Sequence, residues 1–208
     1  MNNPLQLTSV QQKDADYARL GEVFLADPAT PAALRELAED LRVTIRRAGQ
    51  PAPNGKCVVY WMQRAQRARD NHALDKAIDL ANALGLPCVV YFAAVSNFPH
   101  ANLRHYTFLH QGLPEIEDEC AARGVGFVLR RARPDTRPAG KPGHEDPLRF
   151  FADVEAALVV GDENPTRATE QWRVRITTAL RIPFWTVDTD VIVPSKLLEK
   201  AQFSAGVA

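Results

Sequence analysis

Two apolar runs decide the fold: Lys56-Cys57-Val58-Val59-Tyr60-Trp61-Met62 and Pro87-Cys88-Val89-Val90-Tyr91-Phe92-Ala93-Ala94-Val95. Each is short and rich in β-branched and aromatic residues. Neither shows the polar alternation of a half-exposed strand, so each reads as a strand buried on both faces of a parallel sheet. Between them Ala73, Leu74, Ala77, Ile78, Ala81 and Leu84 recur at helical spacing. That spacing predicts an amphipathic helix, with Asp70 as its cap and Gly85 as its stop.

The alternation continues toward the C-terminus. Leu103, Tyr106, Leu109, Leu113, Ile116 and Cys120 mark a second helical stripe, in which Pro114 is expected to kink or split the helix. Gly126–Arg131 reads as a third strand, 134–147 as an exposed loop rich in Pro and Gly, and 147–154 as a short helix. A fourth strand at 156–161, a helix at 169–180, a fifth strand at 183–188 and a helical stretch at 195–203 complete the series. The pattern predicts a Rossmann-like α/β fold: a doubly wound, five-stranded parallel sheet with helices on both faces. Residues 1–55 read as an N-terminal helical extension to an α/β domain at 56–194. One helix is expected around 14–25, with Tyr17, Leu20 and Phe24 on one side. Another should start at Thr30-Pro31 and bury Leu34, Leu37, Leu41 and Ile45.

The 208 residues suffice for one such domain, and Lys+Arg and Asp+Glu both total 25. Zero formal charge is a poor basis for autonomous DNA binding, which tracks phosphates with a basic excess. No apolar run is long enough to span a membrane. The start of the chain lacks the pattern of a secretory signal. The three cysteines, Cys57, Cys88 and Cys120, lie in apolar contexts and read as reduced core thiols, which suits a cytoplasmic protein. His100, His105 and His110 recur every five residues, about 140° apart on a helix, so they share no face and no metal site is expected. No serine sits on a G-x-S-x-G elbow.

Ligands of doubly wound sheets bind beyond the carboxyl ends of the strands. That directs attention to the segments after Met62, Val95 and Gly161. The first, Gln63-Arg64-Ala65-Gln66-Arg67-Ala68-Arg69, contains no glycine, so it lacks both the dinucleotide fingerprint and a P-loop. It offers arginines instead, which either pair with carboxylates at the helix start or reach a ligand. The strand ends supply Trp61, Met62 and Arg64, then Phe92 and Ala93, then Asp162 and Pro165. Together these could form an apolar slot for a flat ring with a few polar groups to orient it. Asp162 would either accept a hydrogen bond from the ring or cap the turn that follows it. Trp61, Phe92 and Trp172 also read as core residues.

Val58-Val59-Tyr60-Trp61-Met62-Gln63-Arg64, then Arg67, then Asp70-Asn71-His72-Ala73-Leu74 resembles the opening fingerprint of DNA photolyases, and the Tyr-Trp-Met form resembles class II. His72 stands where class II enzymes usually have Trp. The likeness continues through Ala101–Phe108 and Gly112-Leu113, through Leu158–Asp162 with Pro165, Arg167 and Trp172, and ends at Val187-Asp188 and Ile192-Val193-Pro194. This ordered series runs over roughly four-fifths of the chain.

The resemblance implies an N-terminal α/β domain able to hold an antenna chromophore of the 8-hydroxy-deazaflavin type. It also implies that residues 195–208 begin a linker to a helical domain that binds FAD. Light-driven repair of cyclobutane pyrimidine dimers, and contact with damaged DNA, would belong to that helical domain. The family is a lyase family, yet no catalytic residue carries over to this chain, which alone is expected to be inactive. The alternatives are a stand-alone cofactor-binding or regulatory module, and a generic nucleotide-binding protein akin to adenine-nucleotide-binding stress proteins. The glycine-free loop argues against the last.

Overall fold

A computed structural model describes residues 9–95, 98, 100–131, 145–164 and 166–197. In chain order the elements are α1 (Ser9–Ala26), α2 (Ala32–Ala38), β1 (Val43–Arg47), β2 (Cys57–Met62), α3 (His72–Leu84), β3 (Cys88–Ala94), α4 (Leu103–Ala122), β4 (Gly126–Arg131), α5 (Glu145–Asp153), β5 (Ala156–Asp162), α6 (Arg167–Ala179) and β6 (Phe184–Val187), followed by a 3-10 turn at Ser195–Leu197. The strands form one six-stranded sheet in the order β1-β6-β5-β2-β3-β4. All neighbours are parallel except β1, which runs antiparallel to β6.

The doubly wound class is therefore as expected, with one strand more than the five predicted. That strand corrects the reading of the N-terminal region as wholly helical. The spacing of Leu34, Leu37, Leu41 and Ile45 suggested one long helix, but α2 ends at Ala38. Leu41 is exposed and Ile45 lies in β1. The β-branched trio Val43-Thr44-Ile45 loses side-chain freedom in a helix and packs well on a pleated surface, so it goes to the sheet edge.

Helices on both faces enclose two cores. On one face Val58, Tyr60, Met62, Val90, Phe92, Leu158 and Val160 meet the apolar sides of α3 and α4, and Phe24 packs edge-on to Trp185 at 5.4 Å. On the other, Val59, Trp61, Tyr91, Val159 and Phe184 pack against Phe150 and Phe151 of α5 and Ile176 of α6. Every residue of β2 and β5 is buried, which is why these runs show no polar alternation. Gly55 marks a close chain crossing: a Cβ there would sit 2.4 Å from the Cα of Ala157.

Asp70 does not cap α3: it takes a left-handed φ of 48°, and Asn71 is the cap, accepting from the N–H groups of Ala73 and Leu74. Thr30 does not cap α2 either. Its hydroxyl donates to the carbonyl of Phe24, and Pro31 occupies the cap position. Gly85 stops α3 in the left-handed region as expected. Pro114 does not split the helix into two elements, since α4 runs unbroken past it. Pro114 and His110, whose carbonyl it leaves unbonded, are both exposed, so water can satisfy that group. The expected helix at 195–203 is seen only as the 3-10 turn, and the rest of it lies outside the described residues.

Candidate functional site

The parallel strand order reverses between β2 and β5. The crevice beyond their carboxyl ends is where ligands of doubly wound sheets sit. Here the protein fills that position itself. Asp162 ends β5 with a fully buried side chain. One carboxylate oxygen accepts the Tyr60 hydroxyl at 2.7 Å, and the other accepts three successive backbone N–H groups, from Gln63, Arg64 and Ala65, at 2.9, 2.7 and 3.2 Å. Burial raises the Asp162 carboxyl above its ordinary value, and the bonds from Arg64, Gln63, Tyr60 and Ala65 offset part of that. Burial, reinforced by the Asp162 charge, pushes the Tyr60 phenol well up in turn.

Asn71 completes the frame. Its amide nitrogen donates to the Tyr60 oxygen and to the carbonyls of Ala65 and Arg67 at 3.1, 3.0 and 2.8 Å, while its oxygen caps α3. Only an amide can serve both kinds of partner, since an aspartate has acceptors alone. This is the physical reason the cap falls one residue past Asp70. The nine-residue loop after β2 is thus held from both ends.

The arginines of the loop are engaged within the protein. Arg64 pairs with Asp190 and reaches Asn164, and Arg67 donates to the carbonyls of Asp70 and Thr189. Arg69 pairs with Glu119. A second polar cluster lies at the carboxyl ends of β5 and β6 and was not anticipated. Arg46 of β1 grips Glu163 through both carboxylate oxygens, at 2.7 and 2.6 Å, and Glu170 at 2.8 Å, beneath the ring of Tyr17. Arg173, 1% exposed, pairs with Glu170 and donates to the carbonyls of Asp162 and Asn164. Burial pushes the Glu163 carboxyl up, but Arg46, Arg173 and Thr186 outweigh it and hold the group below its ordinary value. The only sequence hint was Glu170-x-x-Arg173 at helical spacing on α6.

Of the residues expected to line a ligand slot, Trp61 lies on the α5–α6 face, edge-on to Phe151, while Met62 and Phe92 lie together on the α3–α4 face. All three are buried. Ala93 is partly buried on the Trp61 side, Arg64 is 37% exposed, and Pro165 lies outside the described residues. Both oxygens of Asp162 are used within the protein, which is the turn-holding role. Two features at the same edge were missed. Phe98, beyond β3, packs edge-on to Trp172 of α6 at 5.7 Å. The side-chain oxygen of Gln63 is buried without a hydrogen-bond partner among the described residues. His105 turns out to serve a capping box with Asn102 at the start of α4. Among the described residues no group of three or more His, Cys, Asp or Glu is placed to hold a metal ion, and no helix is long and apolar enough to cross a membrane.

A doubly wound sheet with a glycine-free, carboxylate-filled loop at its switch point sets this chain apart from the dinucleotide and P-loop proteins. The chain belongs to the DNA photolyase family, whose model matches residues 58–205. It is 37% identical to a deoxyribodipyrimidine photo-lyase of Methanothermobacter thermautotrophicus over 158 residues, which are 76% of this chain and 33% of that protein. It is 35% identical to the deoxyribodipyrimidine photo-lyase of Potorous tridactylus over 139 residues, 65% of this chain and 24% of that one. The chain therefore spans about a third or less of the length of these relatives. A crystal structure of a class III photolyase from Agrobacterium tumefaciens shares the fold, with a TM-score of 0.51 at 16% identity over 66% of this chain and 26% of that chain.

Proposed function

We propose that this chain is the N-terminal α/β portion of a class II deoxyribodipyrimidine photo-lyase, and that it holds an antenna chromophore for a flavin carried elsewhere in the protein. The observation that supports this reading best is the family match across residues 58–205. Family membership implies a chromophore of flavin or pterin type. Within that class we favour an 8-hydroxy-deazaflavin. A flat ring needs an apolar wall and a few polar groups. Phe98 and Trp172 supply aromatic surface, Ala93 leaves room, Arg64 supplies a partly exposed cation, and the buried Gln63 oxygen supplies an acceptor for a ring N–H or O–H. Trp61, Met62, Phe92 and Asp162 support that edge from beneath, and Pro165 borders it in sequence. The chromophore, when bound, would supply excitation energy; the protein's part is to fix its position.

On this reading FAD, the flipped-out lesion and the contacts to damaged DNA belong to a helical domain in the part of the relatives that the chain does not span. The purified 208-residue chain is then expected to split no pyrimidine dimers under blue light, and turnover of a dimer-containing oligonucleotide would refute the assignment of chemistry to that domain. Antenna binding is tested by titrating 8-hydroxy-deazaflavin and following its fluorescence. Saturable binding that weakens in Trp172→Ala and Gln63→Ala is expected, and absence of binding to the folded chain would remove the antenna role. No specific observation favours a stand-alone regulatory module.

A further inference from the structure

We infer that Asp162 is a built-in phosphate surrogate, which seals the switch-point crevice and bars phosphate groups from the loop after β2. Three successive backbone N–H groups that converge on one point form a nest, the arrangement with which backbones bind anions. Gln63, Arg64 and Ala65 form such a nest, and all three point at one oxygen of Asp162. The nest lies at the end of the first parallel strand, beside the strand on the other side of the switch point, where doubly wound sheets commonly receive a phosphate. In glycine-rich loops the backbone can approach a ligand's phosphate. Here the loop has no glycine, and the anion comes from the protein.

The substitution has two consequences. The loop is held by the protein's own groups, because Asp162, Tyr60 and Asn71 bond it from beneath. The loop's arginines also have partners within the protein: Arg64 pairs with Asp190, Arg67 donates to backbone carbonyls and Arg69 pairs with Glu119. A chromophore bound at these strand ends must therefore present a ring, not a phosphate, to this loop. That corollary rests on the antenna reading, whereas the exclusion of phosphate does not.

The test uses the full chain and two small anions. In the wild type, titration with inorganic phosphate should leave the amide resonances of Gln63, Arg64 and Ala65 unmoved. Phosphate-dependent shifts at these three amides would overturn the proposal. In Asp162→Ala the nest loses its anion, and formate restores the excised carboxylate. The variant's lowered melting temperature should rise with formate, with the same three amides shifting, while the wild type gains nothing. A folded Asp162→Ala chain that ignores formate would also overturn the proposal. If that variant does not fold, the wild-type phosphate titration decides alone. Deazaflavin fluorescence is a separate readout, so failure of the antenna reading and failure of this one are distinguishable.

Discussion

At the scale of single residues, the cap of α3 and the frame around Asp162 meet in one side chain. Asn71 spends its oxygen on the helix and its nitrogen on Tyr60 and two loop carbonyls. Asn71→Ala should therefore cost more than a cap alone, about 3 kcal/mol once the stranded loop carbonyls are included. Asp70→Gly should be neutral or slightly stabilising, because Asp70 already holds a left-handed φ of 48° that glycine adopts freely. Urea unfolding of the two variants checks both; a larger loss from Asp70→Gly would reverse the assignment. Asp162 and Glu163 are adjacent yet are shifted from their ordinary values in opposite directions. Burial raises Asp162, so its contribution to stability is full below 3.8 and lost as pH rises through its folded value. Glu163 is lowered despite burial, so its contribution is present above 4.5 and lost as pH falls through its folded value. Glu163→Gln should cost about 3 kcal/mol at neutral pH, by leaving Arg46 short of its partner. That difference from the wild type should shrink as pH falls below 4.5, and a difference independent of pH would deny the ion pair its role.

At the scale of elements, the buried strands were legible because burial on both faces removes polar alternation, and β2, β3 and β5 are written that way. The edge strand β1 was not. Its five residues include two arginines, and Leu34 and Leu37 upstream set a helical rhythm into which Leu41 and Ile45 happen to fall. The usable signal is the consecutive Val43-Thr44-Ile45, which the helical spacing of Leu34, Leu37, Leu41 and Ile45 masks. The candidate site was legible only as a place. Strand ends named Asp162 and Arg64, but their partners are about 100 residues distant in sequence, and no local pattern reports such pairs. Pro114 is the converse case, since α4 continues past it where the missing hydrogen bond faces water. Pro114→Ala should raise stability, by roughly 1–3 kcal/mol, because it restores a helix-interior bond without touching the core. Denaturant midpoints measure this, and an unchanged midpoint would mean that the proline costs α4 nothing.

At the scale of the whole molecule, the sheet is closed by segments from opposite ends of the chain. Arg42 donates to the carbonyls of Asp188, Val191 and Ile192, and Arg46 clasps Glu163. Phe24 covers Trp185. A chain starting at residue 50 would keep all of the segment that matches the family model, yet would lay bare the edge of β6 and the ring of Trp185. It should associate at high concentration and show red-shifted tryptophan emission, and native-like emission with a monomeric profile would show that β1 is dispensable. The antiparallel pairing of β1 with β6 also sets a schedule. During synthesis β1 leaves the ribosome before the other described strands, and its partner, Phe184–Val187, follows roughly 140 residues later. At about 5–20 residues per second that gap lasts on the order of ten seconds. Throughout it Val43 and Ile45 have no partner strand to join, so the first of the described strands to be made is the last to be seated.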